Sequence, residues 1–343
     1  IRLLSLDFCY ICKIFFTNTS YVGFLKYSIH HQRKGESMIE TLAVGKLKWH
    51  HITDPTEEDF VELKEKFHFH PLDIEDCRSV NQRPKIDIYD DYYFLILQYP
   101  DFDRQDKFIF PKEVKLFWGK DYIITLERKA WHVSQLFNEY SERDDESLAK
   151  ELATSDILLY RIIEKLMKES LYLLKKIGFE LEMLNKELFG SKQVRIIERI
   201  SVTRKNIITI NTIFKPQLRM FHSFETGQIK GFGDVEFMED YWGNILDYYQ
   251  KVWDMTEDHE DLIEGLSKTF DSMQTNKTNE IMKILTLLSS IILPLTFITG
   301  LFGMNVVFPF ITTTKVAFWI IIGVMLLVSA ALIYFFNHRK WWM

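Results

Sequence analysis

A short uncharged motif, Gly303-Met304-Asn305, ends the first of two long apolar stretches near the carboxyl end of the chain. The Asn305 amide offers a carbonyl oxygen that accepts hydrogen bonds without carrying a net charge. A small divalent cation gives up its water shell reluctantly, so neutral oxygens that bind the shell hold the ion without trapping it. Several copies of this motif around one axis could form a selectivity filter for a hydrated cation.

The stretch before the motif gathers polar and small residues on one helical face. Seven positions advance by three or four residues and share that face: Asn279, Met282, Leu285, Ser289, Leu293, Thr296 and Gly300. A face directed at lipid would not collect three polar side chains and a glycine. Because one helical hairpin cannot enclose water, we expect a ring of copies in which this pore-lining face surrounds the axis.

Two histidine pairs, His50-His51 and His68-x-His70, raise the alternative of a zinc enzyme. No Glu or Cys stands at zinc-ligand spacing on one helix with them, so the pattern disfavours catalytic zinc. Cys9-x-x-Cys12 could be half of a metal site, but the sequence contains no second pair to complete it.

The overall composition excludes other classes of protein. Lys plus Arg total 42 against 48 for Asp plus Glu, a balance that argues against a general nucleic-acid binder. The sequence has no glycine-rich phosphate loop, so we expect no nucleotide and no organic cofactor.

Two charge-free stretches, residues 284–307 and 316–336, are each long enough to cross the roughly 30 Å hydrocarbon layer as a helix. We assign transmembrane helix 1 to residues 283–305, an external loop to 306–315, transmembrane helix 2 to 316–336 and a basic tail to 337–343. Basic residues flank the pair on the tail side and before the first span, whereas the loop carries only Lys315. The positive-inside rule therefore places both termini in the cytoplasm of a multi-pass plasma-membrane protein.

The part before the membrane divides into a mixed domain and a helical region. Residues 38–150 alternate strand and helix patterns and predict a small α/β domain. The strand candidates are 86–89, 92–97, 114–118 and 122–126, and the helix candidates are 56–67 and 131–140. Residues 151–233 read as helices, with Ser155 as a cap and a stop at Pro216.

Residues 234–282 predict a long stalk helix that continues into the first span. An apolar stripe with heptad-like spacing follows it: Phe237, Tyr241, Ile245, Tyr248, Val252, Met255, His259, Leu262, Leu266, Thr269 and Met273. No proline interrupts the chain between this stripe and Pro294. A helix of this length is rarely stable alone, so its stripe must pack on other helices or other subunits.

Residues 1–37 precede the first methionine, Met38. Lys34-Gly35-Glu36 can be encoded by a ribosome-binding sequence, so we interpret residues 1–37 as a mistranslated leader or a disordered extension. A signal anchor is the alternative.

The chain resembles the CorA family of divalent-cation transporters in two separate places. The segment from Thr278 to Asn305 resembles the family's first span, including its Gly-Met-Asn ending. In the α/β domain, the segments 70–77, 81–85 and 89–92 resemble the family's cytoplasmic motif. The two motifs occur in the family's order, and the resemblance covers about residues 38 to 343.

The resemblance implies a homopentameric, funnel-shaped channel: an α/β cytoplasmic domain, long stalk helices and a two-helix transmembrane hairpin. It implies passive Mg²⁺ uptake, with Co²⁺ and Ni²⁺ as further substrates, driven by the membrane potential and closed by an apolar gate at Met282 and Leu285. It also implies regulation by cytoplasmic Mg²⁺ bound between subunits at Glu75 and Asp76. Zinc transport and a membrane-tethered metal sensor that transports nothing remain as alternatives.

The sequence departs from the family pattern at two points. The loop 306–315 contains no acidic residue, which weakens the attraction of cations to the mouth. The stalk position that would supply the second regulatory carboxylate is the neutral Asn244, and the nearest acid is Asp247.

Overall fold

The structure, a computed structural model, describes residues 39–188, 194–304 and 314–339. The leader 1–37, Asn305, most of the loop 306–315 and the tail from Lys340 lie outside the described residues. The described chain forms two compact units. One holds residues 39–82, 87–95 and 114–158; the other holds 83–86, 96–113 and everything from 159 onward.

A six-stranded sheet accounts for the strands. They are β1 (Ile39–Val44), β2 (Leu47–Thr53), β3 (Lys85–Ile88), β4 (Tyr92–Phe102), β5 (Ile109–Gly119) and β6 (Tyr122–Glu127). Their order is β1-β2-β6-β5-β4-β3, and β2 runs parallel to β6 with His51 opposite Thr125. The strand candidates 114–118 and 122–126 lie in β5 and β6, which pair antiparallel around Gly119 with Trp118 opposite Ile123. The β1–β2 hairpin was not predicted, and its turn needs Gly45, whose φ is +61°.

In the sequence, two of the described helices lie between β2 and β3 and the others follow β6. They are α1 (Glu57–Phe67), α2 (Pro71–Arg78), α3 (His132–Ser141), α4 (Asp145–Glu151), α5 (Ser155–Leu188), α6 (Val194–Phe214), α7 (Leu218–Glu225), α8 (Val235–Phe302) and α9 (Thr314–His338). Thr56 caps α1 in a capping box with Asp59. Ser155 is not the cap of α5: Thr154 accepts the Ile157 N–H at 3.3 Å, while the Ser155 hydroxyl donates to the Lys120 carbonyl.

The predicted stop at Pro216 is only partly correct. α6 does end just before it, at Phe214, but a 3₁₀ turn over Lys215–Gln217 leads directly into α7. Proline fits the first turn of a helix because that position needs no N–H donor, so Pro216 starts the next helical segment. The Gln217 side chain anchors this junction, donating to the Gln98 carbonyl at 2.7 Å and accepting from the Gln98 N–H at 3.1 Å.

The α8 helix runs without interruption for 68 residues, about 100 Å at about 1.5 Å per residue, with Pro294 inside it. The expectation of one continuous stalk and first span is therefore confirmed. Within the single chain, this apolar stripe is buried at Ile245, Val252, His259 and Leu266 only. The buried residues before the span are Met238, Trp242, Ile245, Tyr249, Val252, Thr256, His259, Ile263, Leu266 and Phe270. Phe237 and Leu262 from the predicted stripe are more than half exposed.

Candidate functional site

The end of α8 forms the described part of the Gly-Met-Asn motif. The Gly303 N–H donates to the Thr299 carbonyl at 2.8 Å, and Gly303 has φ −80°. Gly303 lies in the turn that ends the helix, and its φ is one that any L-residue can adopt. Space is the tighter constraint, since a Cβ on Gly303 would lie 3.0 Å from the Thr299 carbonyl oxygen. Met304 is 56% exposed.

All seven residues of the predicted pore-lining face are exposed. Even its apolar members stand free of packing, since Met282 is 54%, Leu285 55% and Leu293 72% exposed. These side chains find no partner surface within the described part of their own chain. A face of this kind is completed by lipid or by other subunits.

The second span covers the other side of α8. α9 packs on α8, and Leu287 and Phe336 are buried on this pair of helices. The partly covered positions of the span cluster around Leu287: Lys283, Ser290, Ile291, Pro294, Leu295 and Ile298. At about 100° per residue, most of the predicted pore-lining face lies on the side of the helix away from Leu287. The hairpin therefore leaves the predicted pore-lining face open.

Side-chain chemistry separates this face from the rest of the exposed helix. A neighbouring exposed flank holds Ile281, Ile284, Leu288 and Ile292, all apolar, as lipid contact requires. On the pore-lining face, the Thr296 hydroxyl donates to the Ile292 carbonyl at 3.0 Å. Its hydrogen is thus engaged and its lone pairs remain, which makes it an acceptor for water hydrogens around a cation.

Two helices, Val235–Phe302 and Phe318–His338, are long and apolar enough to cross a membrane. In the most apolar 18-residue part of each helix, only 6% and 0% of the residues, respectively, are buried within the chain. The core helix of a soluble protein would be mostly buried, so this exposure favours spanning helices.

The predicted regulatory acids Glu75 and Asp76 lie on α2, a helix that is fixed at its start. Glu75 is exposed and Asp76 is half-buried. The buried Asp73 carboxylate accepts bonds from the Tyr89 and Tyr92 hydroxyls at 3.1 and 2.8 Å. Burial, reinforced by the bond to Asp73, raises the pKa of Tyr89 to about 12, so this phenol remains a donor at neutral pH.

The carboxyl end of α2 is fixed by two cations. The buried Lys115 ammonium donates to the carbonyls of Asp76 at 2.8 Å, Cys77 at 3.4 Å and Ser79. The Arg128 guanidinium donates to the Arg78 carbonyl at 2.9 Å. Positive groups satisfy the carbonyls that a helix leaves unpaired at this end. Sequence reasoning missed Lys115, although a lysine inside the apolar strand Val114–Trp118 was a signal that it needs a buried partner.

The stalk position Asn244 is engaged within its own chain. Its Nδ2 donates to the Tyr160 hydroxyl at 2.9 Å, and Tyr160 donates to Glu164 Oε1 at 3.1 Å. Glu164 also pairs with Arg161 and Lys168; burial opposes ionisation, but these two cations and Tyr160 together lower the Glu164 pKa. Asp247 is exposed.

The described residues contain no group of three or more His, Cys, Asp or Glu side chains that could hold a metal ion. The regulatory set Glu75, Asp76 and Asp247 therefore stays a prediction about an assembly of subunits.

Three histidines of the two pairs form hydrogen bonds within the α/β domain. His51 bonds through Nδ1 to Thr125 and through Nε2 to Ser134, both at 2.8 Å. Burial lowers its pKa to about 4, so its 3.6 Å approach to Glu127 is not an ion pair at neutral pH. His50 bonds to Thr41 at 2.8 Å, and His70 caps α2 by accepting the Leu72 N–H.

Comparisons with known proteins agree with this geometry. The family described as "CorA-like Mg2+ transporter protein" matches residues 44–340. The chain is 28% identical over 294 residues to the cobalt/magnesium transport protein CorA of Thermotoga maritima, covering 85% of this chain and 83% of that protein. It is 26% identical over 327 residues to the putative metal ion transporter YfjQ of Bacillus subtilis, covering 91% and 95%. The solved CorA magnesium transporter of Methanocaldococcus jannaschii superposes with TM-score 0.71 at 18% identity, over 86% of this chain and 92% of that one.

Proposed function

Because the chain belongs to the CorA family of Mg²⁺ transporter proteins, we propose that it carries divalent cations across the plasma membrane, with Mg²⁺ as the main substrate and Co²⁺ and Ni²⁺ as further ones. The observation that carries this proposal is the open face of α8. It presents oxygen acceptors at Ser289 and Thr296 and lies opposite the helix that packs against it. Transport of an ion down its gradient makes or breaks no bond, so we propose neither an enzyme activity nor an organic cofactor.

A ring of copies would turn the open face into a pore, and we propose a homopentamer. The part of the predicted stalk stripe that is not buried in the single chain supports self-assembly. Its members recur at intervals of seven residues, and none of them is buried in the single chain: Tyr241, Tyr248, Met255, Leu262 and Thr269. A strict seven-residue repeat is the pattern by which helices pack against one another in a bundle.

In the proposed pore, the cation keeps its water shell and the protein binds that shell. Neutral acceptors on the pore-lining face, ending in the Asn305 amide collar, hold the water hydrogens. Moving two charges through about 100 mV is worth about 4.6 kcal/mol, at roughly 2.3 kcal/mol per charge, so the inside-negative potential can drive uptake without ATP. Apolar rings at Met282 and Leu285 would close the pore by excluding water.

The regulatory part of the proposal places Mg²⁺ between subunits at Glu75, Asp76 and Asp247, on the cytoplasmic side with both termini. The firm fixing of α2 by Asp73 and Lys115 supports it, because a metal site needs ligands on a rigid element. Asn244 is committed to Tyr160, so the stalk carboxylate in this proposal is Asp247.

Flux into proteoliposomes tests the proposal. Purified full-length protein is reconstituted, and uptake of Mg²⁺, Co²⁺, Ni²⁺ and Zn²⁺ is compared with and without an inside-negative potential. We expect potential-driven Mg²⁺ uptake that Asn305→Ala abolishes. Faster uptake of Zn²⁺ than of Mg²⁺ would identify a zinc transporter. The absence of flux for every ion would favour a metal sensor that transports nothing.

Two adjacent serines provide a matched pair for the same assay. Ser289 is exposed on the pore-lining face, whereas Ser290 is half-buried on the side of α9. Ser289→Ala should slow Mg²⁺ uptake several-fold and Ser290→Ala should not. Equal rates for both variants would contradict the orientation of the helix in the pore.

A further inference from the structure

A groove of about 930 Å³ lies between α5, α6 and the turn that joins β4 to β5. It belongs entirely to the helical unit and lies outside the spans and the α2 region. Its volume is in the range of sites that bind small organic molecules.

The floor of the groove is apolar. Ile177 from α5 and Ile196 from α6 are buried, and Leu173 and Val202 are half-buried beside them. At the edge, Phe102 leaves 41% of its surface exposed. Covering such apolar surface stabilises a complex by about 25 cal/mol per Å² removed from water, so the floor favours a ligand with an apolar body.

Two cations stand at one end of the groove, on the β4–β5 turn. Arg104 and Lys107 line the groove and are exposed. Neither forms an ion pair with any described carboxylate. Such unpaired cations beside an apolar floor favour an anionic group on the ligand.

The turn that carries these cations is held in place. Asn206 of α6 accepts the Ile109 N–H at 2.8 Å and donates to the Lys107 carbonyl at 3.0 Å. Asp103 accepts the N–H groups of Gln105 and Asp106 at 2.7 and 3.2 Å. The backbone of Lys107 has φ +59°, a conformation maintained by these bonds. A preformed turn lowers the entropy cost of binding.

Three carboxylates line the groove, those of Glu180, Glu187 and the exposed Glu198, and Arg199 pairs with the first two. Arg199 donates through Nε to Glu180 at 2.8 Å and through Nη1 to Glu187. This pairing reduces repulsion of an anion, and it leaves the Arg199 Nη2 group as a further donor.

We propose that this groove binds an amphipathic organic anion, with its carboxylate or phosphate at Arg104 and Lys107 and its apolar body along Leu173, Ile177 and Val202. The same chemistry is offered by a free acyl metabolite and by the headgroup end of a bilayer lipid.

Equilibrium binding of radiolabelled octyl phosphate to the full-length protein in phosphatidylcholine nanodiscs tests this proposal, with empty nanodiscs as background. We expect saturable binding, about one molecule per chain. Octyl glucoside and inorganic phosphate, which each lack one half of the chemistry, should compete at least about tenfold more weakly. Binding that never exceeds the empty nanodiscs, or equal competition by either half, would overturn the proposal.

Variants locate the site. Arg104→Glu with Lys107→Glu, on the exposed turn, should weaken binding at least about tenfold. Val202→Trp should block the groove. Lys46→Glu with Lys64→Glu changes the net charge equally at exposed positions of the other unit and should leave binding unchanged. Unchanged binding in both groove variants would refute the site.

Binding of octyl phosphate in nanodiscs that contain phosphatidic acid distinguishes the two possible sources of the ligand. Displacement of octyl phosphate there supports a bilayer lipid as the ligand, and undiminished binding supports a free amphiphile.

Discussion

The Asn244 side chain donates a hydrogen bond to the Tyr160 hydroxyl at 2.9 Å and so ties the stalk helix α8 to α5. Tyr160 has one proton, which it gives to Glu164. The amide is suited to this position because it is a donor, whereas a carboxylate would have to compete with Glu164 for the same proton. The stalk is thereby cross-linked by a neutral group where a regulatory carboxylate was expected.

Asn244→Asp should therefore destabilise the protein. The new carboxylate has no hydrogen to donate to Tyr160 and lies near Glu164. We therefore expect the free energy of unfolding to fall by about 1–3 kcal/mol, measured through a lower midpoint of thermal unfolding. Asn276→Asp, at an exposed position of the same helix, makes the same chemical change and should stay within about 0.5 kcal/mol. An equal effect of the two substitutions would show that the Tyr160 bond contributes nothing.

Gly178→Ala should loosen the packing of α5 on α8. A Cβ at this position would lie 2.9 Å from Nε2 of the buried His259 ring, so the two helices must separate slightly. We expect a loss of about 1–3 kcal/mol in thermal unfolding.

Gly243→Ala is the matched control on α8, since a Cβ there meets nothing within 4 Å. It should raise stability by about 0.5–1 kcal/mol because alanine favours the helix. A stabilising Gly178→Ala would contradict the close contact with His259.

The buried His51 should make stability fall as the medium becomes acidic. Its folded pKa of about 4 lies below the ordinary 6.5, so the unfolded chain takes up a proton first as the pH falls. Stability is retained above pH 6.5 and is lost between about 6.5 and 4, at up to about 1.4 kcal/mol per pH unit. Full-length protein unfolded thermally across this range gives the slope.

His51→Gln should flatten that slope. The remaining slope is then due to His50, whose pKa is also lowered to about 4 by burial and nearby lysines, and to His259, whose pKa burial lowers. His222→Gln changes an exposed histidine and should leave the slope as it is. A slope unaffected by His51→Gln would mean that other groups cause the acid sensitivity.

Thr296→Val should reduce Mg²⁺ uptake about tenfold, because it keeps the shape of the side chain and removes a water acceptor from each subunit. Thr212 on α6 makes the same type of bond, to the Ile208 carbonyl at 2.9 Å, and is exposed outside both apolar helices. Thr212→Val should leave tracer flux in proteoliposomes within about twofold. Equal losses of flux in the two variants would contradict the proposed role of Thr296 in the pore.

Leu262→Asp should weaken subunit assembly. Leu262 is 57% exposed in the single chain and belongs to the seven-residue repeat proposed to meet other copies. We expect fewer subunits per particle by light scattering of the detergent-solubilised protein. Phe179→Asp, at a 65% exposed residue of α5 outside the repeat, should keep the full assembly. Loss of assembly only in the α5 variant would contradict the proposed interface.

The sequence predicted the length of α8 well because both signals for it are local: an apolar repeat and the absence of proline before Pro294. It could not fix which side of the stalk is buried. Adjacent residues such as Tyr241 and Trp242, or Leu262 and Ile263, are both apolar, so two stripes fit the same spacing. Packing against the other helices, α6 and α7 among them, decides between them, and Trp242 and Ile263 are the residues that become buried.

The exposure of the predicted pore-lining face could be expected from the sequence because polar residues in an apolar span stand out, and its place around a pore stays a prediction. The environment of α2 could not be predicted from the sequence. Lys115 lies 36 to 39 residues away from the carbonyls it binds, so no local pattern connects them. The role of Asn244 likewise depends on Tyr160, 84 residues away, and on the pairing of two helices.

Pro294 gives the long rod of α8 one compliant point. Proline has no amide hydrogen, so residue 294 cannot close the helical bond to the Ser290 carbonyl, and the rod resists bending least there. This point lies between the level of Leu285 and the level of Thr296. In the proposed pore, a movement of the stalk would therefore reach the span as a change of tilt below Pro294, which would widen the proposed ring of Leu285 side chains and leave the proposed ring of Thr296 hydroxyls in place.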